Sequence, residues 1–232
     1  MLRACFFLLF FIPYTLLMSI AAIVGTLVGG GIGFGHGCAR LWSRGGLFLA
    51  GIKLAVSGQE LIPQGVPVIF MGNHQGNFDI LALSLAIPRR FSWIAKAELF
   101  RVPLFGAAMR RAGYIPLDRS HGRKSLRSVN EAAERIKGGA SVVVFPEGTR
   151  TLDGSLLPFK RGGFLLAGRA GVPIVPFTIR GSMEINPRNR LHLTIGTITI
   201  RFGAPISTEN AGKDADALME RVKSAILAGF EE

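Results

Sequence analysis

Residues 4–39 contain no Asp, Glu, Lys or Arg, and this N-terminal run limits the possible folds more than any other part of the chain. A helix of its 36 residues would be about 54 Å long, whereas the hydrocarbon core of a bilayer is about 30 Å thick. Pro13 and the glycines at positions 29, 30, 31 and 33 are natural helix breaks. We therefore predict a membrane-embedded helical anchor over residues 1–40, formed either by two short helices in one leaflet or by one spanning helix.

A cleaved signal peptide is the alternative interpretation, because Arg3 precedes the apolar run and residues 19–21 resemble a cleavage site. The apolar region of a signal peptide is only about 7–15 residues long, however, and this run continues far beyond the site. Basic residues follow the run, with no acidic residue before Glu60. By the positive-inside tendency, the domain that follows is expected to face the cytoplasm. We expect the membrane to be a bacterial inner membrane.

Composition and charge narrow the function classes. With 49% hydrophobic and 18% charged residues, the chain is not disordered, collagen-like or a coiled coil. The net charge of +12 is concentrated in residues 89–169, which hold sixteen basic and six acidic side chains. Anionic headgroups, phosphorylated small molecules and nucleic acid would all suit such a surface. We expect no nucleic-acid partner, because two Trp and two Tyr offer few stacking side chains and no recognition motif is present.

Beyond residue 60, short β-rich runs alternate with amphipathic stretches, which is typical of βα units. Strands are predicted at residues 66–72, 91–95, 113–117, 141–145, 172–179 and 191–202, the last with a change of phase near Gly196. Helices are predicted at residues 79–86, 98–111, 126–136, 160–170 and around 218–226. In the second of these, Pro103 either lies in the first turn or ends a short preceding helix. The predicted fold is therefore α/β, with a mostly parallel central sheet flanked by helices.

The reactive side chains follow the predicted strands. His74 and Asp79 come directly after strand 66–72, where a strand-to-helix turn can bring them together. A carboxylate on one imidazole nitrogen fixes the tautomer and leaves the other nitrogen as a general base. Ligands bind at the carboxyl ends of parallel strands, so a pocket for a dianionic group is predicted beside this base. The other residues that follow predicted strands and are candidates for this pocket are Lys96, Arg119, Glu147, Gly148, Thr149 and Arg150.

Neither a metal nor a disulfide is expected. The three other histidines are isolated, so no set of His, Cys and carboxylate residues has the spacing of a metal site. The two cysteines, Cys5 and Cys38, lie in the apolar run, which excludes a disulfide scaffold and a thiolate zinc cluster.

Taken together, these blocks resemble the glycerolipid acyltransferases with an H-x4-D motif, and most closely the 1-acyl-sn-glycerol-3-phosphate acyltransferases. The resemblance covers roughly residues 55–205 and rests on NHQGNFD, GYIPLDR, FPEGTR and VPIVP, which begin at residues 73, 113, 145 and 172. It implies a glycerol-3-phosphate acyltransferase-like fold, with residues 41–232 as the catalytic domain. Lyso-ornithine lipid or glycerol 3-phosphate remains open as an alternative acceptor, and so does a basic membrane- or nucleic-acid-binding protein without catalysis.

The resemblance also implies a reaction and its participants. An acyl chain would pass from an acyl thioester to the sn-2 hydroxyl of lysophosphatidate and give phosphatidic acid. His74 would be the general base, oriented by Asp79. The phosphate would be held by Lys96, Arg119 and Arg150, and Glu147, Gly148 and Thr149 would complete the substrate site. No cofactor is implied, because acyl-coenzyme A or acyl-acyl carrier protein enters as co-substrate. The expected partners are these two substrates, the lipid bilayer and acyl carrier protein.

Overall fold

The structure is a computed structural model and describes residues 1–118, 123–209 and 214–231. Its α-helices are α1 Leu2–Gly25, α2 Gly31–Ala50, α3 Phe78–Ala86, α4 Phe105–Arg111, α5 Arg123–Lys137, α6 Arg161–Ala170, α7 Ser182–Ile185 and α8 Ala215–Glu231. Its strands are β1 Ile52–Ser57, β2 Ile69–Gly72, β3 Ser92–Lys96, β4 Ile115–Leu117, β5 Val142–Val144, β6 Ile174–Arg180 and β7 Gly196–Phe202. Short 3-10 helices lie at Gln59–Leu61 and Ala97–Arg101.

Helices α1 and α2 form an antiparallel pair, here called the N-terminal hairpin. The break between them lies in the glycine cluster, where Gly29 has a φ of 102°. Two hydrogen bonds join the helices near their middle, where the Trp42 indole donates to the Thr15 hydroxyl over 2.8 Å and Tyr14 donates to the Leu41 carbonyl over 2.8 Å. A third joins their ends, where Arg3 donates to the Ala50 carbonyl over 2.9 Å. By length and composition, residues Leu2–Ala50 are a candidate membrane segment, with a mean hydropathy of 2.4 and only 17% of the most apolar window buried.

The hairpin packs directly on the rest of the chain. The predicted boundary at residue 40 falls inside α2, which continues to Ala50. Phe7 of α1 lies 5.4 Å from Phe78 of α3, measured between ring centroids. Arg40 of α2 donates to the carbonyl groups of Ser84 and Ile87, both over 3.0 Å, and so satisfies acceptors that the end of α3 leaves free. The segment that a signal peptidase would remove therefore contributes Ala4 and Phe7 to the buried core.

The strands form a single seven-stranded sheet with the order β1-β7-β6-β2-β5-β3-β4. All neighbouring strands are parallel except β6 and β7, which are antiparallel. This confirms the predicted α/β fold with a mostly parallel sheet. Consecutive residues of β5, Val142 and Val143, are fully buried on opposite faces, because the hairpin, α3 and α4 cover one face while α5, α6 and α8 cover the other.

Some elements differ from the sequence-based expectation. Strand β1 and helix α7 were not predicted. Within the stretch 98–111, a short 3-10 helix ends before Pro103 and α4 follows it, which is the second of the two arrangements predicted for this proline. Strand β7 begins only at Gly196, so the predicted strand over 191–202 is too long. The residues before Gly196 bond instead to the α7 region, where the Thr194 amide donates to the Ile185 carbonyl over 3.0 Å.

Candidate active site

The loop that carries His74 begins at a fixed point between two parallel strands. Asn73 follows the last residue of β2 and is buried. Its side-chain amide donates to the Ile179 carbonyl over 2.8 Å and accepts from the Ile179 amide over 2.7 Å. This two-bond link anchors the start of the loop to β6, so the position of His74 depends on the pairing of β2 with β6.

The structure brings His74 and Asp79 together as the sequence predicts. Asp79 lies in the first turn of α3, and its Oδ2 is 2.7 Å from Nδ1 of His74. The other ring nitrogen, Nε2, has no hydrogen-bond partner among the described residues. The arrangement favours the tautomer with a proton on Nδ1, which leaves Nε2 free to accept a proton.

The carboxylate of Asp79 is fully buried and surrounded by donors. Its Oδ2 also accepts the backbone N–H groups of Gln75 over 2.7 Å and Gly76 over 2.9 Å, while its Oδ1 accepts the hydroxyl of Ser182. Position 76 has little room for a side chain, because a Cβ there would lie 2.9 Å from the Ser182 carbonyl oxygen. These contacts compensate the desolvation of the buried charge and leave the carboxylate little freedom to rotate.

Glu147 points into the protein rather than into open space, and it is only 2% exposed. Its Oε1 accepts the backbone N–H of His74 over 2.7 Å, and its Oε2 accepts the backbone N–H of Leu157 over 2.9 Å. Burial raises the pKa of this carboxyl to about 7, while the two backbone donors act in the opposite direction. Glu147 therefore holds the main chain of the His74 loop.

His74 also lies on the wall of a large cavity. Its ring stacks on Phe145, with centroids 3.9 Å apart and an angle of 9° between the planes. The cavity has a volume of about 810 Å³ and runs from the carboxyl edge of the sheet to the hairpin. Its walls are mainly apolar and include Phe11, Met18, Trp42, Trp93, Phe105 and Met109. Such a cavity can hold a long hydrocarbon chain with one end beside His74.

Two of the predicted cations border this cavity. Arg150 is half-buried in its wall, and burial and the neighbouring Arg188 guanidinium lower the pKa of Arg150, with Asp79 opposing them. Lys96 is exposed, 3.6 Å from Glu98. Gly148 and Thr149 line the same cavity, whereas Arg119 lies outside the described residues.

Sequence reasoning missed several polar residues of the site. Four of them follow β6 and bond to the predicted site or line the cavity, namely Ser182, Asn186, Arg188 and Arg190. The rule that ligand-binding residues follow parallel strands could have found them. Asn77 lies within the recognised block NHQGNFD, but no role was predicted for it from the sequence, whereas the structure bonds it to Arg150 and Asn186. Within the described ranges, no three His, Cys, Asp or Glu side chains form a group that could hold a metal ion.

Comparison with known proteins is consistent with this geometry. The sequence matches the family described as Acyltransferase over residues 53–180, which is more than half of the chain. The chain belongs to the Acyltransferase family. It is 35% identical over 195 residues to a chloroplastic 1-acyl-sn-glycerol-3-phosphate acyltransferase of Brassica napus, covering 83% of this chain and 55% of the relative. It is 36% identical over 187 residues to the human 1-acyl-sn-glycerol-3-phosphate acyltransferase alpha, covering 80% and 66%.

The chain thus spans between about half and two thirds of the length of these acyltransferases. A solved structure shows the same fold, that of the 1-acyl-sn-glycerophosphate (LPA) acyltransferase PlsC from Thermotoga maritima. The TM-score is 0.86, with 99% of this chain and 94% of the other covered at 24% identity. This likeness extends to the N-terminal hairpin, because nearly the whole of both chains is superimposed.

Proposed function

We propose that this acyltransferase moves an acyl chain from an acyl thioester to the sn-2 hydroxyl of 1-acyl-sn-glycerol 3-phosphate. The observation that carries the proposal is the His74–Asp79 pair, which sits on the wall of an apolar cavity beside a half-buried arginine. The acceptor in this proposal is the one that the names of the relatives from Brassica napus and human give.

The chemistry follows from the free nitrogen of His74. Nε2 takes the proton of the acceptor hydroxyl as its oxygen attacks the thioester carbonyl. The tetrahedral intermediate collapses, the carbon–sulfur bond breaks, and the proton on Nε2 passes to the departing thiolate. Asp79 holds the imidazole and stabilises its charged form during both steps. No residue of the chain needs to become acylated, so direct transfer is favoured over an acyl-enzyme.

The acceptor phosphate is assigned to the basic wall of the cavity. Arg150 presents a planar guanidinium suited to two parallel bonds with phosphate oxygens, and Arg190 borders the same space. Lys96 would add a charge at the exposed edge, with Gly148 and Thr149 alongside. Arg119 stays a prediction in this role.

We assign Glu147 a positioning role instead of the predicted contact with substrate. Both of its carboxylate oxygens already accept main-chain N–H groups, and the side chain is buried. It would keep the backbone of His74 in place while the imidazole exchanges protons.

A membrane position would suit the substrates. The N-terminal hairpin associates the protein with a membrane, and its α1 and α2 residues line the cavity, so an acyl chain could move from lipid into the cavity without crossing water. Leu99 and Val102, exposed between β3 and α4, would extend the membrane-facing surface, since α4 packs on α1. We further propose a bacterial inner membrane, a cytoplasmic catalytic domain and no cofactor, with coenzyme A or acyl carrier protein carrying the acyl group.

The test is an assay of purified protein with lysophosphatidate, lyso-ornithine lipid and glycerol 3-phosphate, each offered with acyl-coenzyme A and acyl-acyl carrier protein. We expect activity with lysophosphatidate, and we expect His74→Ala to lower turnover by roughly 10²- to 10⁴-fold while the protein stays folded. A preference for another acceptor would refute the substrate assignment, and a His74→Ala variant as active as the wild type would refute the base.

A further inference from the structure

The short turn after β6, residues 181–186, contacts both halves of the candidate site. Gly181 has a φ of 87°, and a Cβ at this position would lie 2.3 Å from the Thr197 carbonyl oxygen, so glycine is required there. This residue turns the chain directly from β6 into α7. The sequence blocks that indicated the function do not include this turn.

The first contact joins the turn to the catalytic carboxylate. The Ser182 hydroxyl donates to Oδ1 of Asp79, and both side chains are fully buried. The other three donors to this carboxylate all reach Oδ2. Ser182 is therefore the described residue that fixes the second oxygen, and with it the rotation of the carboxylate plane towards His74.

The second contact joins the turn to the anion-binding wall. Asn186 accepts the side-chain N–H of Asn77 over 2.9 Å, and Asn77 in turn accepts a guanidinium N–H of Arg150. Asn186 is itself held, because its amide group donates to the His192 carbonyl over 2.6 Å. Arg188 donates to the Arg150 carbonyl over 2.8 Å. The direction of the Arg150 side chain is thus set by a chain of bonds that begins in the same turn.

We propose that the turn 181–186 is the positioning element of the site, with Ser182 orienting Asp79 and Asn186 orienting Arg150 through Asn77. The inference rests on the proposed function, since it assigns these residues to its base and to its phosphate-binding group. The proposal requires that substitutions of Ser182 and Asn186 change different kinetic parameters. Ser182 acts on proton transfer, whereas Asn186 acts on the binding of the phosphate-bearing substrate.

The experiment compares Ser182→Ala and Asn186→Ala with two matched controls. Ser141→Ala also removes a buried hydroxyl, one that accepts the Val68 N–H at the opposite edge of the sheet. Asn130→Ala also removes an asparagine bonded to an arginine, on the far layer of helices. For each variant, kcat, the KM for lysophosphatidate, the KM for the acyl thioester and the Tm are measured with the full chain in detergent.

We expect Ser182→Ala to lower kcat by about tenfold to a hundredfold, the usual effect of losing a hydrogen bond to a buried charge, with both KM values within about twofold of wild type. We expect Asn186→Ala to raise the KM for lysophosphatidate by about fivefold to tenfold and to leave the KM for the thioester unchanged. Asn186→Asp keeps an acceptor for Asn77 but loses the donor to the His192 carbonyl and adds a negative charge beside the phosphate site, so it should not restore the KM for lysophosphatidate. The two controls should keep wild-type kinetics even where their Tm falls.

Different failures give different results. An inactive wild type would overturn the proposed function and this inference with it. If the wild type is active, either of two results would overturn the inference alone. One is a folded Ser182→Ala variant with the kcat of wild type. The other is a fall in kcat matched by an equal rise in both KM values, in step with a fall in Tm. If Ser182→Ala does not fold, Ser182→Cys replaces it, because a thiol is a weaker donor of similar size. A kcat equal to that of wild type in this variant would also overturn the inference.

Discussion

The substitution Asp79→Asn tests how the carboxylate works, because the structure dictates which way the new amide must face. Two backbone N–H groups and the His74 ring point at Oδ2, so an NH2 group there would oppose three donors. The amide must therefore place its oxygen at Oδ2 and its NH2 group towards Ser182, whose hydroxyl oxygen can accept. The proton on Nδ1 of His74 is retained, and only the negative charge is lost.

The attraction lost with that charge determines how far kcat should fall. An imidazolium and a carboxylate with charge centres about 4 Å apart attract each other by about 4 kcal/mol at an effective dielectric constant of about 20. The amide oxygen keeps the hydrogen bond to His74 and so recovers part of this energy. We expect the barrier to rise by about 2–4 kcal/mol, which lowers kcat by about 30-fold to 1,000-fold.

The assay measures kcat with saturating lysophosphatidate and acyl thioester, alongside Tm. Asp216→Asn, which changes an exposed carboxylate on α8, serves as the control and should be fully active. A loss beyond about 10⁴-fold with unchanged Tm would mean that the amide had turned its NH2 group towards His74 and altered the tautomer. A loss below about fivefold would mean that Asp79 does not stabilise a charged imidazole. Either result would refute the reasoning.

Three further predictions follow from burial and packing. Because burial raises the pKa of Glu147 from 4.5 to about 7, the folded state binds this proton more tightly than the unfolded state does. Its contribution to stability should fall between pH 4.5 and 7, and this part of the pH dependence of Tm should disappear in Glu147→Gln. Gly76→Ala, with a Cβ 2.9 Å from a backbone oxygen, should lose about 1–3 kcal/mol in denaturant unfolding, whereas Gly162→Ala, with nothing within 4 Å, should lose none. Leu99→Asp should weaken sedimentation with anionic vesicles, whereas Leu227→Asp, equally exposed on α8, should not. Equal binding by both variants would show that Leu99 does not belong to the membrane-facing surface.

Local patterns in the sequence were sufficient for the fold class and for the His74–Asp79 pair. The apolar run without charges indicated a helical membrane segment but not whether it forms one helix or two, and unbroken apolar strands such as β5 indicated a sheet covered on both faces. His74 and Asp79 are only five residues apart, and a turn between a strand and a helix limits the conformations that can separate them.

The remaining parts of the site depend on contacts between distant residues. Ser182 lies 103 positions from Asp79, and Asn186 lies 109 positions from Asn77. They meet because β6 pairs with β2 in the middle of the sheet. Apolar strands pair equally well in several orders, so their sequences do not specify this neighbour.

The inward direction of Glu147 is a similar case. It depends on the positions of two main-chain N–H groups, His74 and Leu157, that belong to separate loops. The sequence therefore determined which residues carry the chemistry, since residue type and local spacing encode acids, bases and turns. The tertiary structure decided which of them line the cavity and which are buried and hold other groups in place. That depends on strand order and on main-chain N–H groups, which every residue except proline carries and which the sequence therefore does not distinguish.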